Sequence, residues 1–161
     1  MSQFTEDSKI QEIASAYALD AQDFARNHFK LNLDWSDKSI EHIETILGVL
    51  HDQMAKAKPT EEQLFRFAKM FGSYVGEVFR RNHGATWGIV NLDGQEFPGL
   101  KANGSAGLFW PWGRTQNRIV NGAEDNIWHY YQVLLEREGG DSAPSAQGKS
   151  TKQHRPWWKI F

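Results

Sequence analysis

The chain has 161 residues, with 18 basic and 20 acidic side chains and a net charge of -2. Hydrophobic residues make up 40% of it, enough for one folded domain with a buried core. The absence of cysteine excludes disulfides, a thiol nucleophile and cysteine-ligated metal centres. No apolar run approaches the roughly 20 residues of a transmembrane helix, and the first residues do not resemble a secretory signal. We therefore expect a cytoplasmic protein without a transmembrane segment.

Charge is unevenly distributed along the chain. Residues 139–161 carry four basic side chains and one acidic side chain, whereas the preceding residues carry 14 basic and 19 acidic ones. Proteins that bind duplex nucleic acid usually present a basic stripe. An acidic body does not provide one, so we expect no duplex nucleic acid partner.

Helical periodicity predicts three long helices in the first half of the chain. The first begins with a capping box at Ser8 and ends near Phe29. The second has Ser36 as its N-cap. The third runs from Glu61 to about Asn82 and is apolar over much of its circumference, which is typical of a central helix.

The third helix carries its own start, stop and packing signals. Thr60 and Gln63 have the spacing of a capping box, and Gly84 is a candidate C-cap. Gly72 and Gly76 lie one turn apart, so we expect another backbone to approach the helix closely at this face.

After Gly84 the apolar period changes to two, which predicts strands. The dipeptides Asp93-Gly94 and Asn103-Gly104 are hairpin turn signals, and Pro98 favours an edge position or a bulge. The sequence therefore predicts a three-stranded antiparallel meander with strands over Thr86–Asn91, Glu96–Ala102 and Gly107–Trp110.

The remaining pattern completes the predicted domain organisation. A short helix is expected from Pro111 or Gly113 to Val120, and a last helix with Glu124 and Asp125 in its first turn. The expected fold is α+β, with about four main helices packed on the meander. A single domain would span residues 1–138, followed by a flexible linker over 139–151 and a basic, aromatic C-terminal tail over 152–161.

A charged cluster on the third helix is the main candidate site. Glu77 is spaced to pair with Arg80 and Arg81, and on so apolar a helix we expect it to be buried. One interpretation is a structural salt bridge that fixes the helix against the sheet. The other is an anion or partner pocket built from Arg80 or Arg81 together with Arg114 and Arg118.

No catalytic or cofactor motif accompanies this cluster. The sequence has no Gly-x-Ser-x-Gly elbow, P-loop or Gly-x-Gly-x-x-Gly, and no histidine pair has the spacing of metal ligands. We therefore expect no catalytic residues, no cofactor and no metal.

One block of the chain resembles a family. The block Gly72-x-Tyr74-x-Gly76-Glu77-Val78-x-x-Arg81-Asn82-x-Gly84-x-x-Trp87, with the later Pro111, Arg118, Asn121 and Gly122, is similar to an uncharacterised bacterial domain-of-unknown-function family. The resemblance covers about residues 35–137. It implies a small α+β domain of bacterial origin and no particular activity. Some small bacterial domains of this kind act as toxin-neutralising immunity proteins, which is an analogy only.

The tail is the most apolar hexapeptide of the chain. Burial of Trp157, Trp158 and Phe161 would each contribute roughly 1.5–3 kcal/mol. The tail could dock on its own body, on another protein or protomer, or at a membrane surface.

Two function classes follow from these patterns. The preferred hypothesis is a non-enzymatic interaction protein that binds a partner protein, or a second copy of itself, through its tail or an Arg/Trp surface. The alternative is a sensor of a small anion, or an enzyme, with a pocket between the third helix and the meander that includes Glu77, Arg118 and Trp87. A deep pocket with convergent Arg118, Arg81 and Glu77 would favour the alternative, whereas a flat surface with an exposed or peripherally docked tail would favour the preferred hypothesis.

Overall fold

Five α-helices and one four-stranded antiparallel sheet make up residues 2–138, the part of the chain that the computed structural model describes. The predicted α+β class is confirmed; the described structure has five α-helices where about four main ones were expected, and four strands where three were expected. The helices are α1 (Ser8–Phe24), α2 (Ile40–Ala57), α3 (Glu61–His83), α4 (Pro111–Asn121) and α5 (Ile127–Glu138). The strands are β1 (Ser2–Glu6), β2 (Ala85–Leu92), β3 (Gln95–Ala102) and β4 (Leu108–Phe109).

The sheet has the strand order β1-β2-β3-β4. The expected meander is present as β2, β3 and β4, but the prediction of three strands is wrong because β1 pairs antiparallel with the free edge of β2. Pro98 lies on an inner strand. Since β4 pairs only with Leu100 and Lys101, Pro98 has a partner strand on one side only within the described sheet.

The helix boundaries follow local capping chemistry. Asp7, not Ser8, caps α1, because its carboxylate accepts hydrogen bonds from the backbone N–H groups of Lys9 and Ile10. The helix continues as a π-helical turn over Ala25–Phe29, so the helical segment ends at Phe29, as predicted. The predicted capping box before α3 is confirmed, and Ser36 caps a short 3-10 turn (Asp37–Ser39) that leads into α2.

Helix α3 is central, as its apolar circumference predicts, and its two glycines explain how closely it is packed. A Cβ at Gly72 would lie 2.8 Å from the carbonyl oxygen of Pro111 at the start of α4. A Cβ at Gly76 would lie 2.4 Å from the indole ring of Trp87 on β2. Both distances are shorter than a real Cβ contact. The close approach of a backbone is therefore confirmed at Gly72, whereas at Gly76 the close neighbour is a side chain.

The last helix begins later than predicted. Glu124 and Asp125 belong to a separate 3-10 turn (Ala123–Asp125), and α5 starts at Ile127. The carbonyl oxygen of the Asn126 side chain accepts a hydrogen bond from the backbone N–H of His129, so this asparagine caps the helix in place of the acidic pair.

Two expectations concern the membrane and the tail. Within residues 2–138, no helix is both long and apolar enough to cross a membrane. The predicted linker over 139–151 and the tail, with Trp157, Trp158 and Phe161, lie outside the described residues and stay predictions.

Candidate functional site

Glu77 on α3 is fully buried and forms the ion pair that its spacing predicts. Its carboxylate accepts hydrogen bonds at 2.8 and 3.0 Å from the Arg80 guanidinium and at 2.8 Å from Nε1 of Trp87. Arg81 Nε lies 3.5 Å from the same group. The carboxylate therefore ties α3 to β2.

Helix α1 supplies two further donors to the same carboxylate. Nε2 of Gln11 and Oγ of Ser15 lie 3.3 and 3.4 Å from its oxygens. Burial acts to raise the pKa of Glu77, but the hydrogen bonds from Arg80 and Trp87 and the two positive charges outweigh it and lower the pKa. Because internal donors surround this carboxylate, it acts as a structural junction of α1, α3 and β2.

The candidate arginines are not brought together in one pocket. Arg80 and Arg81 stay at Glu77, where Arg81 also stacks over the Trp35 ring at 3.7 Å. The Trp87 indole is buried against α3 and fills the space expected for a pocket between that helix and the meander. The convergence of Arg118, Arg81 and Glu77 that would favour the alternative hypothesis is therefore absent from the described structure.

Arg118 has a structural environment of its own. Its guanidinium pairs with Glu44 on α2 at 2.7 Å, and only 7% of its side chain is exposed. The other oxygen of Glu44 accepts a hydrogen bond from the backbone N–H of Ile127 at 2.8 Å. This pair therefore joins α4, α2 and the start of α5.

Arg114, one turn earlier on α4, lies in a separate cavity. The cavity has a volume of about 190 Å³ and opens between β4, α4 and α5. We call it the Arg114 pocket; its lining residues are Leu108, Phe109, Trp110, Arg114, Tyr130, Val133, Leu134 and Arg137. We call its apolar lining residues Leu108, Trp110 and Val133 the floor, and its polar lining residues Arg114, Tyr130 and Arg137 the rim.

The aromatic and charged groups of the Arg114 pocket interact with one another. The Arg114 guanidinium carbon lies 4.6 Å from the centre of the Tyr130 ring, a cation–π contact. Burial raises the pKa of Tyr130 to about 12, against the charges of Arg114 and Arg137, which act to lower it. The Tyr130 phenol is therefore neutral at physiological pH.

A second polar cluster was not anticipated from the sequence. Asp37 accepts hydrogen bonds from the Tyr131 hydroxyl at 2.6 Å and from Asn82 at 3.2 Å, and it hydrogen-bonds Nε2 of His83 at 2.9 Å. Burial acts to raise the pKa of Asp37, but these partners outweigh it and lower the pKa. Burial and the hydrogen bond to Asp37 raise the pKa of Tyr131.

The Asp37 cluster connects distant parts of the chain. It joins the 3-10 turn before α2, the end of α3 and α5, and Tyr131 is 94 positions from Asp37. Asp37, Asn82 and His83 look like ordinary surface residues when only their sequence neighbours are considered. The helical pattern that places Tyr131 on the inner face of α5 was the one signal available.

Among residues 2–138, no group of three His, Asp or Glu side chains is arranged to hold a metal ion. Comparisons with protein families, with curated proteins and with solved structures gave no match.

Proposed function

We propose that this chain is a non-enzymatic bacterial interaction protein that binds a partner protein at the Arg114 pocket. The supporting observation is the pocket itself, in which an apolar floor lies beside guanidinium groups. Arginine and aromatic side chains are enriched at the energetic centres of protein interfaces. A cytoplasmic location remains part of the proposal.

The size of the pocket favours a protein partner over a metabolite. Sites for small molecules usually have volumes of roughly 300–1,000 Å³, whereas the Arg114 pocket has about 190 Å³. A cavity of this size accommodates about one amino-acid side chain. A partner protein can insert one side chain and gain its remaining contacts from the surface around the opening.

The chemistry of the lining favours binding over catalysis. Its polar side chains are Arg114, Arg137 and Tyr130. A general base works best with a pKa near the operating pH, and the Tyr130 phenol, with a pKa of about 12, is far from it. The buried carboxylate of Glu77 is already surrounded by internal donors.

A photo-crosslinking experiment in the native cell tests this proposal. The photoreactive residue p-benzoylphenylalanine would replace Val133, which lies half-buried in the pocket wall. The matched control carries it in place of Arg66, which is exposed on α3. We expect a discrete protein adduct from position 133 that the control does not form and that Trp110→Ala weakens.

Two results would contradict the proposal. Equal adducts from both positions would indicate nonspecific contact. A small anion retained at the pocket in native mass spectrometry, without a protein adduct, would instead support the alternative hypothesis of an anion sensor or enzyme.

A further inference from the structure

The rim of the Arg114 pocket has more positive than negative charge. Within residues 2–138 Arg114 makes no salt bridge, and its described contact is with the Tyr130 ring. Arg137 is half-exposed and lies 3.4 Å from Glu138, so the second guanidinium is only loosely paired. Together these three charged side chains leave the rim with one net positive charge.

The hydrogen-bond donors of this rim are available. Arg114 is half-buried, and within residues 2–138 its guanidinium N–H groups have no hydrogen-bond acceptor. The Tyr130 hydroxyl has no hydrogen-bond partner among the described residues and carries its proton at neutral pH. The rim therefore offers charged and neutral donors to an acceptor that brings negative charge.

The floor requires a different chemistry from the rim. Leu108, Trp110 and Val133 present apolar surface in a volume suited to one side chain. Burying a large apolar side chain there removes its surface from water, which favours binding. A ligand that satisfies both parts has an apolar group next to a carboxylate.

We infer that the Arg114 pocket binds an acidic segment of a partner protein in which one aromatic or branched aliphatic side chain is flanked by carboxylates. The apolar side chain enters the floor, and a carboxylate accepts hydrogen bonds from Arg114 and Arg137. This inference rests on the proposed function and specifies the chemistry of the partner.

Charge complementarity favours such a segment over the chain's own tail. Residues 139–161 carry Lys149, Lys152, Arg155 and Lys159 against a single acidic residue. Like charges placed opposite one another at an interface disfavour association. The tail offers aromatic groups for the floor but the wrong sign of charge for the rim.

The test measures peptide binding to the full-length protein by fluorescence polarisation. The probe is a labelled pentapeptide with a central phenylalanine between two acidic residues on each side. Its controls replace the phenylalanine by serine, or the acidic residues by lysines. We expect the probe to bind at least roughly tenfold more tightly than either control, with weaker binding as salt rises from about 50 to about 300 mM.

Three variants locate the binding. Arg114→Gln should weaken the acidic probe roughly tenfold, since it removes a charge-assisted hydrogen bond, and Tyr130→Phe should weaken it by a smaller factor. The matched control Arg66→Gln removes an exposed arginine from the same protein and should leave the affinity unchanged. Circular dichroism of each variant checks that the helices are retained.

Several outcomes would overturn the inference. Equal affinity for the lysine control would show that binding does not require negative charge. Equal affinity for the serine control would show that it does not require the apolar side chain. Tighter binding of a peptide with the sequence of residues 155–161 would make the tail the occupant, and tighter binding of phenylacetate would make the site one for a small carboxylate. Absence of probe binding up to about 1 mM, with a protein adduct still formed from position 133, would refute the acidic segment while the proposed function stands.

Discussion

Replacement of Glu77 by alanine should be among the more damaging single changes in this protein. The substitution leaves the buried N–H of Trp87 without its acceptor, which costs roughly 1–3 kcal/mol. It also strands Arg80 and Arg81, although their side chains are 32% and 38% exposed and can regain water. Loss of one partner from a buried pair costs roughly 3–5 kcal/mol, so we expect the lower end, about 3 kcal/mol.

Urea denaturation followed by tryptophan fluorescence measures this loss directly. The matched control is Asp23→Ala, which breaks the exposed pair between Asp23 and Arg26 and should cost less than about 1 kcal/mol. A comparably small loss for Glu77→Ala would show that the pair behaves as a surface salt bridge and would refute the reasoning. A double-mutant cycle with Trp87→Phe should give a coupling energy of roughly 0.5–3 kcal/mol.

The pH dependence of stability provides a second measure of the same carboxylate. Its pKa in the folded state is lowered from the ordinary value of 4.5. The stabilisation is therefore fully present above pH 4.5 and is lost as the pH falls through the folded-state pKa. The difference in unfolding free energy between the wild type and Glu77→Gln should shrink below pH 4.5, and a constant difference would contradict this assignment.

Three further predictions concern packing, the second cluster and the tail. Gly76→Ala should destabilise by roughly 1–3 kcal/mol in urea denaturation, despite the higher helix propensity of alanine, because its Cβ would overlap the Trp87 ring; a gain in stability would contradict this packing. Tyr131→Phe removes a part-buried hydrogen bond to the Asp37 carboxylate and should cost roughly 1.5–3 kcal/mol, and an unchanged denaturation midpoint would count against that bond. Deletion of residues 152–161 should leave the melting temperature nearly unchanged and abolish an association detected by pull-down, and the opposite pair of results would make the tail structural.

Some signals that depend on a few neighbouring residues predicted the structure correctly, such as the Thr60–Gln63 capping box and the Asp93-Gly94 turn. Each depends on a short hydrogen-bonded ring or on a backbone conformation that the local residues favour. Their formation does not depend on the rest of the fold. Others were displaced: Asp7 caps α1 in place of Ser8, and Ser36 caps the 3-10 turn before α2 while Ser39 is the N-cap of α2 itself.

At the candidate site, contacts within one helix turn could be predicted from the sequence, whereas contacts between helices could not. Burial and pairing of Glu77 could be predicted because its helix is apolar and its partners lie within one turn. Arg114 and Arg118 also lie one turn apart, yet one contacts Tyr130 on α5 and the other Glu44 on α2. Those partners depend on how three helices pack, and no local pattern encodes that packing.

Strand β1 was missed because its sequence has little strand character. Phe4 is its one large apolar residue, between polar neighbours, so the period-two signal is too short to recognise. Its partner is also far away in the chain, since Ser2 lies opposite Leu92 and Glu6 opposite Gly88. This strand can be predicted only when it is known that the edge of β2 lies beside it in the fold.

The same distance sets an order of events during synthesis of the chain. At roughly 5–20 residues per second, β1 waits several seconds after its own synthesis before residues 88–92 exist to receive it. Throughout that interval the backbone N–H and C=O groups of this segment lack their partners in β2. Such unpaired groups can form hydrogen bonds with a neighbouring chain. Gln3, Thr5 and Glu6 are exposed in the folded sheet, and their polarity limits such pairing in the nascent chain. The polar composition that makes β1 hard to predict from sequence thus also limits its pairing with other chains until residues 88–92 have been synthesised.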